Sequence, residues 1–140
     1  MAISFSSQNI TFKLKKKVKI KNWIIAVSKK EKKAVGTIGY VFSNDKLLLE
    51  MNKQYLKHNT YTDIITFDYS EGKKISGEIF ISIERVKDNA KKYKVDFETE
   101  LHRVIIHGVF HLCEYNDKSN ASKANMRKLE NKALLLLNKK

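Results

Sequence analysis

The chain has 140 residues and a formal net charge of +13 at pH 7, a size that allows one domain with a real hydrophobic core and excludes two. Its single cysteine, Cys113, excludes an intrachain disulfide, no apolar run approaches the about 20 residues that span a membrane, and the amino terminus lacks the pattern of a secretion signal. We therefore expect residues 1–140 to form one soluble domain in a reducing cytoplasm.

A run of lysines lies near the amino terminus, with ten of them between Lys13 and Lys33. A strongly basic surface attracts nucleic acid, and such binding weakens as salt is added. The whole chain, however, has 25 lysines, three arginines and no proline, which is a composition that a biased genome produces. The run is therefore either a nucleic-acid surface or a solvated face.

The first half of the chain alternates helical and strand patterns. Apolar residues from Trp23 to Val27 mark a helix after the lysine run, and those from Val35 to Phe42 mark a strand. Asn44 or Asp45 is suited to cap a helix that carries apolar residues as far as Tyr55. These patterns predict a helix, a strand and a second helix, in that order.

The second half begins with two β-rich runs, Ile64 to Tyr69 and Glu78 to Ile83. The turn region between them, residues 70–73, predicts a hairpin or a similar close connection. Alternation early in the chain and helices late in it indicate an α+β fold, in which helices cover a small mixed β-sheet. Three helices are expected to finish the chain, at about Glu84 to Lys94, Phe97 to Tyr115 and Ser122 to Leu137.

The expected helix from Phe97 to Tyr115 carries the most informative residues, His107 and His111. Residues four apart lie on one face of a helix, so both imidazoles can point at one metal ion. Asp117 follows the expected helix end, where its carboxylate can fold back as a third ligand. Two imidazoles, a carboxylate and an open position describe a catalytic zinc site. By itself, a histidine pair of this spacing is more often a packing feature than a metal site.

The residue after the first histidine separates two kinds of metal hydrolase. In His-Glu-x-x-His proteases a glutamate at this position activates the metal-bound water, and Gly108 has no side chain for that role. Phosphodiester cleavage asks less of a protein base, because a metal ion lowers the pKa of its water and basic residues position the backbone. The pattern therefore favours a phosphoester over a peptide substrate, and no residue is assigned as the general base.

Three motifs of the chain follow a recognisable order. The first upstream motif joins Asn52 to Leu56 with Thr62 to Phe67, the second is Gly77 to Ile79, and the third is the run from His107 to Asp117. They resemble motifs of the YbeY family of ribosomal RNA maturation endoribonucleases. The family has Asn-x-x-Tyr-Arg with Thr-Asp-Val-Leu-Ser-Phe, then Gly-Asp-Ile, then the signature His-Gly-x-Leu-His-Leu-x-Gly-Tyr-Asp-His. The motifs follow in the family's order and cover about residues 45 to 135.

The resemblance implies one YbeY-like metallohydrolase domain over residues 1–140 that binds one Zn²⁺ per chain. It implies His107, His111 and Asp117 as the metal ligands, on and just beyond a helix of the carboxyl-terminal half, with Asp117 in the place of the family's third histidine. The implied activity is cleavage of single-stranded ribosomal RNA during maturation and ribosome quality control, including processing of the small-subunit RNA 3′ end, with the small ribosomal subunit as partner. The alternative is a non-catalytic RNA-binding factor for ribosome assembly, whose metal is structural or absent.

Two positions depart from the family pattern. Leu56 occupies the place of the family's arginine, which the resemblance implies acts on phosphate, and candidates to supply that charge are Lys57, His58 and Arg103. Glu114 stands where the family has glycine, so the chain must reverse there with some strain or by a different turn.

Three further side chains are open to more than one interpretation. We expect Cys113 to be a buried, inert thiol rather than a ligand, because it points away from the histidine face. Asp63 either helps to position the substrate or makes a hydrogen bond that supports a metal ligand, or it satisfies nearby backbone donors, as acids at strand entrances more often do. His102 lies off the face of the two other helix histidines, so we expect it to be structural or on the surface.

Overall fold

The order of helices and strands follows the sequence patterns, with one further strand at the start. The structure is a computed structural model that describes residues 2–138. Helices cover a four-stranded mixed sheet, which confirms the predicted α+β fold class. None of the helices in the described range combines the length and the apolar character needed to cross a membrane. The elements are β1 (Ala2–Ser7), α1 (Lys17–Lys30), β2 (Ala34–Ser43), α2 (Asp45–Tyr55), β3 (Ile64–Asp68), β4 (Lys74–Ser82), α3 (Ile83–Tyr93), α4 (Phe97–Leu112) and α5 (Asn120–Leu137).

The sheet has the strand order β1-β2-β4-β3. Its central strands β2 and β4 are parallel, and most of their side chains are buried, as in strands that are covered on both faces. β3 pairs with β4 in the antiparallel direction, which confirms the predicted close connection. β1 is a parallel edge strand that the sequence patterns did not indicate, because three of its six residues are serines and only Ile3 is fully buried.

Two elements begin earlier than their apolar patterns predict. α1 starts at Lys17 rather than near Trp23, so part of the lysine run lies on the exposed side of this helix. β4 starts at Lys74 rather than at Glu78, because Lys74 already pairs with Ala34 of β2. Polar residues at the ends of an element carry no hydrophobic period, and backbone hydrogen bonding then decides where the element begins.

α4 is held against the sheet along its apolar side. Tyr40 in β2 donates a hydrogen bond from Oη to the backbone oxygen of Ile105 over 2.9 Å. A Cβ atom at position 108 would lie 2.9 Å from Ile79 and 3.2 Å from Ile64, so Gly108 allows helix and sheet to approach closely. This contact fixes the rotation of α4 about its own axis, and with it the direction of the histidines beside the glycine.

Candidate metal centre

Three side chains predicted from the sequence converge at the carboxyl-terminal end of α4. His107 Nε2 and His111 Nε2 lie 2.9 Å apart, and Asp117 Oδ2 lies 3.3 Å from the first and 3.9 Å from the second. One candidate donor atom from each residue therefore falls within 4.8 Å of the others. We call His107, His111 and Asp117 the His-His-Asp cluster.

The chain reverses immediately after α4 in a turn that returns Asp117 toward the histidines. Glu114 has a φ of 75° in the left-handed region, its N–H donates to His111 O over 3.0 Å, and the Tyr115 N–H donates to Phe110 O over 3.1 Å. These two hydrogen bonds form a Schellman motif. The Tyr115 ring packs against Phe110, and such an apolar contact frequently accompanies the motif. The expected reversal at Glu114 is thus made with a glutamate in a conformation that favours glycine.

The loop that carries Asp117 is fixed at both ends. Before it, Tyr115 Oη donates a hydrogen bond to Glu31 Oε1 over 2.6 Å at the end of α1, and this bond raises the pKa of Tyr115. After it, Ser119 and Ser122 form a capping box that begins α5. Asp117 keeps 42% of its side-chain surface exposed, so its position depends on these anchors rather than on burial.

A second carboxylate supports the cluster from behind. Glu130 Oε2 lies 2.6 Å from His107 Nδ1, and Glu130 Oε1 accepts a hydrogen bond from Arg103 Nη1 over 3.0 Å. Arg103 Nη2 in turn donates to Asn131 Oδ1 over 2.8 Å. With its Nδ1 proton donated to Glu130, His107 presents the lone pair of Nε2 to the cluster, an arrangement common behind metal-ligating histidines.

Glu130 was not identified from the sequence, although a signal for it existed. In α5 the buried positions are Met126, Glu130, Ala133, Leu134 and Leu137, so an acid interrupts an otherwise apolar stripe. A buried carboxylate needs a partner, and an unexplained acid on a buried helix face therefore points to a nearby cation or proton donor. The partner, His107, lies on a different helix, and no local pattern identifies it.

The two histidines differ in proton affinity. Burial lowers the pKa of His107, but the hydrogen bond and charge of Glu130, with the charges of Asp117 and Asp63, raise it above its ordinary value. Burial and the neighbouring His107 lower the pKa of His111. A metal ion requires neutral imidazoles, so the proton on His107 is the first to compete with a metal as the pH falls.

The cluster opens into a cavity of about 740 Å³ between the sheet edge, α3, α4 and α5. Burial raises the pKa of two carboxyl groups in its wall, Asp63 and Glu100. The wall has more acidic than basic side chains, which favours the binding of a metal cation. A bound divalent cation would make the net charge of the cavity positive, and the cavity would then attract an anion such as phosphate. The charged residues lining the cavity are Asp63, Glu100, Asp117 and Glu130 against Arg103, Lys123 and Arg127.

Lys57, His58 and Arg103 were the candidates to replace the family's arginine, whose position Leu56 occupies, and they differ in their location relative to the cavity. Lys57 and His58 are exposed and do not line the cavity, and Leu56 is likewise exposed outside it. Arg103 does line the cavity, but its guanidinium is engaged by Glu130 and Asn131. None of the three candidates is thus a cation that is both in the cavity and available to a substrate.

Two of the other singled-out side chains have structural roles, and the third, Asp63, faces the cavity. Cys113 is buried, and burial raises the pKa of its thiol to about 11, which confirms the prediction of an inert thiol. His102 packs edge-on against Trp23 with ring centroids 6.1 Å apart, which confirms a structural role. Asp63 lines the cavity, where its Oδ2 lies 3.4 Å from the amide nitrogen of Asn89, so it faces the site rather than a row of backbone donors.

The donor set fits a divalent transition metal. Imidazole nitrogens and a carboxylate oxygen are the ligands of catalytic zinc, and the close approach of two Nε2 atoms offers both lone pairs to one ion. The His-His-Asp cluster is also the one group of three or more such donors within residues 2–138. These residues can therefore hold a metal ion.

The chain matches known proteins in sequence and in fold. The family model described as Endoribonuclease YbeY matches residues 2–138. Proteins named endoribonuclease YbeY are 47% identical over 137 residues in Parabacteroides distasonis, covering 98% of this chain and 96% of that protein, and 49% identical over 138 residues in Flavobacterium psychrophilum, covering 99% and 98%. The solution structure of TM1509 from Thermotoga maritima shares the fold at a TM-score of 0.65 and 24% identity, covering 96% of this chain and 88% of that one. The chain belongs to the endoribonuclease YbeY family.

Proposed function

We propose that this protein is a zinc-dependent endoribonuclease that hydrolyses phosphodiester bonds of single-stranded ribosomal RNA. One Zn²⁺ per chain is held by His107, His111 and Asp117. The observation that carries the proposal is the convergence of these donors inside a cavity that also has cationic side chains in its wall, in a member of the endoribonuclease YbeY family. Residues 1–140 act as one metallohydrolase domain.

The chain's own residues prepare the site for this chemistry. His107 and His111 offer their Nε2 atoms to one ion, and Glu130 holds the His107 ring through its Nδ1 proton. Arg103 keeps Glu130 in place from the other side. A bound zinc ion supplies a water of lowered pKa and an electrophile for a phosphoryl oxygen.

Packing around the histidines supports a phosphoester over a peptide as the substrate. Zincin-type proteases place their catalytic glutamate at the position of Gly108. Here a Cβ atom at that position would lie 2.9 Å from Ile79 and 3.2 Å from Ile64, so the contact between α4 and the sheet leaves no space for a side chain. Position 108 therefore cannot supply the glutamate of a zincin-type protease.

The biological setting is inferred from family membership. We propose cytoplasmic action on ribosomal RNA of the small subunit, in maturation that includes 3′ end processing and in ribosome quality control, with the small subunit as partner. The same basic chain can serve the alternative function of a non-catalytic assembly factor, since RNA binding alone needs no turnover. Cleavage of RNA separates the two functions.

The test is an RNA cleavage assay with end-labelled single-stranded and duplex oligoribonucleotides of small-subunit 3′ sequence. Zinc-loaded wild type should cleave the single strand, and His111→Ala and Asp117→Ala should lose at least about two orders of magnitude in rate, because each variant lacks one of the three residues that would hold the zinc ion. His58→Ala is the matched control, since His58 is exposed and lies outside the cavity. Binding without cleavage by zinc-loaded wild type, or wild-type cleavage by His111→Ala, would overturn the enzyme proposal.

A further inference from the structure

One face of α5 leads from the His-His-Asp cluster to the mouth of the cavity. Glu130, which contacts His107, lies on this face together with Arg127 and Lys123, and all three line the cavity. Their spacing of three and four residues stacks them one turn above another along the helix. Arg127 is therefore the cation one turn from the residue that supports the cluster.

The two arginines of the cavity differ in how they are engaged. Arg103 has 15% of its side-chain surface exposed and uses both terminal nitrogens in hydrogen bonds, to Glu130 and Asn131. Arg127 has 53% exposed, and its nearest carboxylate contact, from Nη1 to Glu130 Oε1, is 4.0 Å long. A pair at that distance and exposure holds a guanidinium weakly, so Arg127 keeps its donors for another acceptor.

The Arg127 guanidinium lies near an aromatic ring. Its Cζ lies 6.0 Å from the ring centroid of Tyr93, at the end of α3, and Tyr93 also lines the cavity. Lys92 Nζ lies 5.6 Å from the same centroid. Guanidinium groups pack on aromatic faces while their planar edge remains free to donate hydrogen bonds. Tyr93 is itself 48% exposed, so the Arg127–Tyr93 contact lies at the solvent-open mouth of the cavity.

We propose that Arg127 is the residue that binds a phosphate of the RNA strand at the mouth of the metal cavity. The proposal rests on the proposed function, since it names the part of the protein that holds the RNA backbone beside the cluster. A guanidinium offers two parallel donors to a phosphate, which fixes both distance and orientation.

The experiment compares zinc-loaded wild type with Arg127→Gln, Arg127→Lys and Lys128→Gln. Lys128 is the matched control, because it is exposed on the same helix and does not line the cavity. The readouts are fluorescence anisotropy with a labelled single-stranded oligoribonucleotide over a series of salt concentrations, and kcat and KM for its cleavage. Zinc content and thermal unfolding are measured for every variant, so that loss of the site or of the fold is seen directly.

Arg127→Gln should weaken RNA affinity by about tenfold and reduce the slope of log affinity against log salt by about 0.7, the value for one phosphate contact on a single strand. Arg127→Lys should keep the slope while losing part of the affinity, because the charge remains and the paired donors do not. Lys128→Gln should change both quantities less. Zinc content should stay at the wild-type value in all of them.

Two results would overturn this assignment: an Arg127→Gln protein with wild-type affinity and salt slope, or equal losses in Lys128→Gln, which would mean that only overall charge matters. The proposed enzyme function fails separately. If wild type binds RNA with the Arg127-dependent slope but never cleaves it, the endoribonuclease proposal falls and the phosphate contact stands. If wild type does not bind single-stranded RNA, both fall.

Discussion

The two sides of α4 have opposite requirements. On the side that faces the sheet, Gly108 sits so close to Ile79 and Ile64 that a larger side chain has no room. On the cavity side, His107 and His111 keep part of their surface exposed and contact charged groups. The comparison shows that the tightly packed side holds α4 rigidly, while the open side carries the candidate metal ligands. The two sides are represented by consecutive residues, His107 and Gly108.

The largest expected effect comes from breaking the packed side. Gly108→Glu should destabilise the protein by about 3 kcal/mol or more, because it forces a charged side chain between α4 and the sheet. Urea unfolding measures the loss. Gly39→Ala is the control, since a Cβ atom there meets only Ser4 Oγ at an ordinary 3.6 Å. A Gly108→Glu protein with wild-type stability would mean that α4 is not pressed against the sheet.

A smaller effect is expected from the support behind the open side. Glu130→Ala should weaken zinc binding by about tenfold to 100-fold, because His107 loses the partner that fixes its ring and tautomer. Glu130→Gln should recover part of the loss, since its amide oxygen can still accept a hydrogen bond from the His107 Nδ1–H group. Competition with a chromophoric chelator measures the affinities, with the exposed Glu98→Ala as control. Equal zinc affinity in Glu130→Ala and wild type would remove Glu130 from the site.

The same contact predicts a pH dependence. The pKa of His107 in the folded, metal-free protein is raised above the ordinary histidine value, so its proton is still bound at pH values where a free imidazole has lost its own. Zinc needs the neutral ring, and its affinity should therefore fall as the pH drops through this raised pKa, by up to about tenfold per pH unit. Glu130→Gln removes the charge that raises the pKa, so its affinity profile should shift to lower pH. A profile that did not move in this variant would contradict the assigned cause.

The smallest expected effect concerns the turn after α4, which leads from the helix to Asp117. Glu114→Gly should stabilise the protein by about 1 kcal/mol, because glycine adopts the observed φ of 75° without the penalty that a Cβ atom brings. Glu114→Ala is the control and should not stabilise, since alanine keeps the Cβ atom. Thermal unfolding measures both. A Glu114→Gly protein less stable than wild type would show that the glutamate side chain contributes more than the strained backbone costs.

The sequence predicts local features of this molecule well. His107 and His111 were identified because helical spacing alone places them on one face. α2 was identified from a cap and its apolar residues, and α3 and α5 from their sequence patterns. Asp117 was identified because it follows the expected helix end, where a carboxylate can fold back, and the family resemblance supports the same role. The turn itself has a glutamate, Glu114, where a glycine signal is usual.

The features that were missed depend on contacts between distant segments. Glu130 meets His107 across the α4–α5 contact, and Arg127 is available only because Arg103 takes the carboxylate of Glu130. β1 is a strand because its backbone pairs with β2, and its serine-rich sequence does not show this. In each case tertiary structure decides the role, and no short window of sequence contains the information.

The most direct test of the central claim is the zinc content of untagged protein by elemental mass spectrometry, compared among wild type, His111→Ala and Asp117→Ala, with folding checked by circular dichroism. We expect close to one zinc per chain in wild type and loss of most of it in both folded variants, because each removes one of three ligands. A folded wild type that takes up no zinc when supplied with it, or an Asp117→Ala protein that retains the wild-type content, would contradict the three-ligand site.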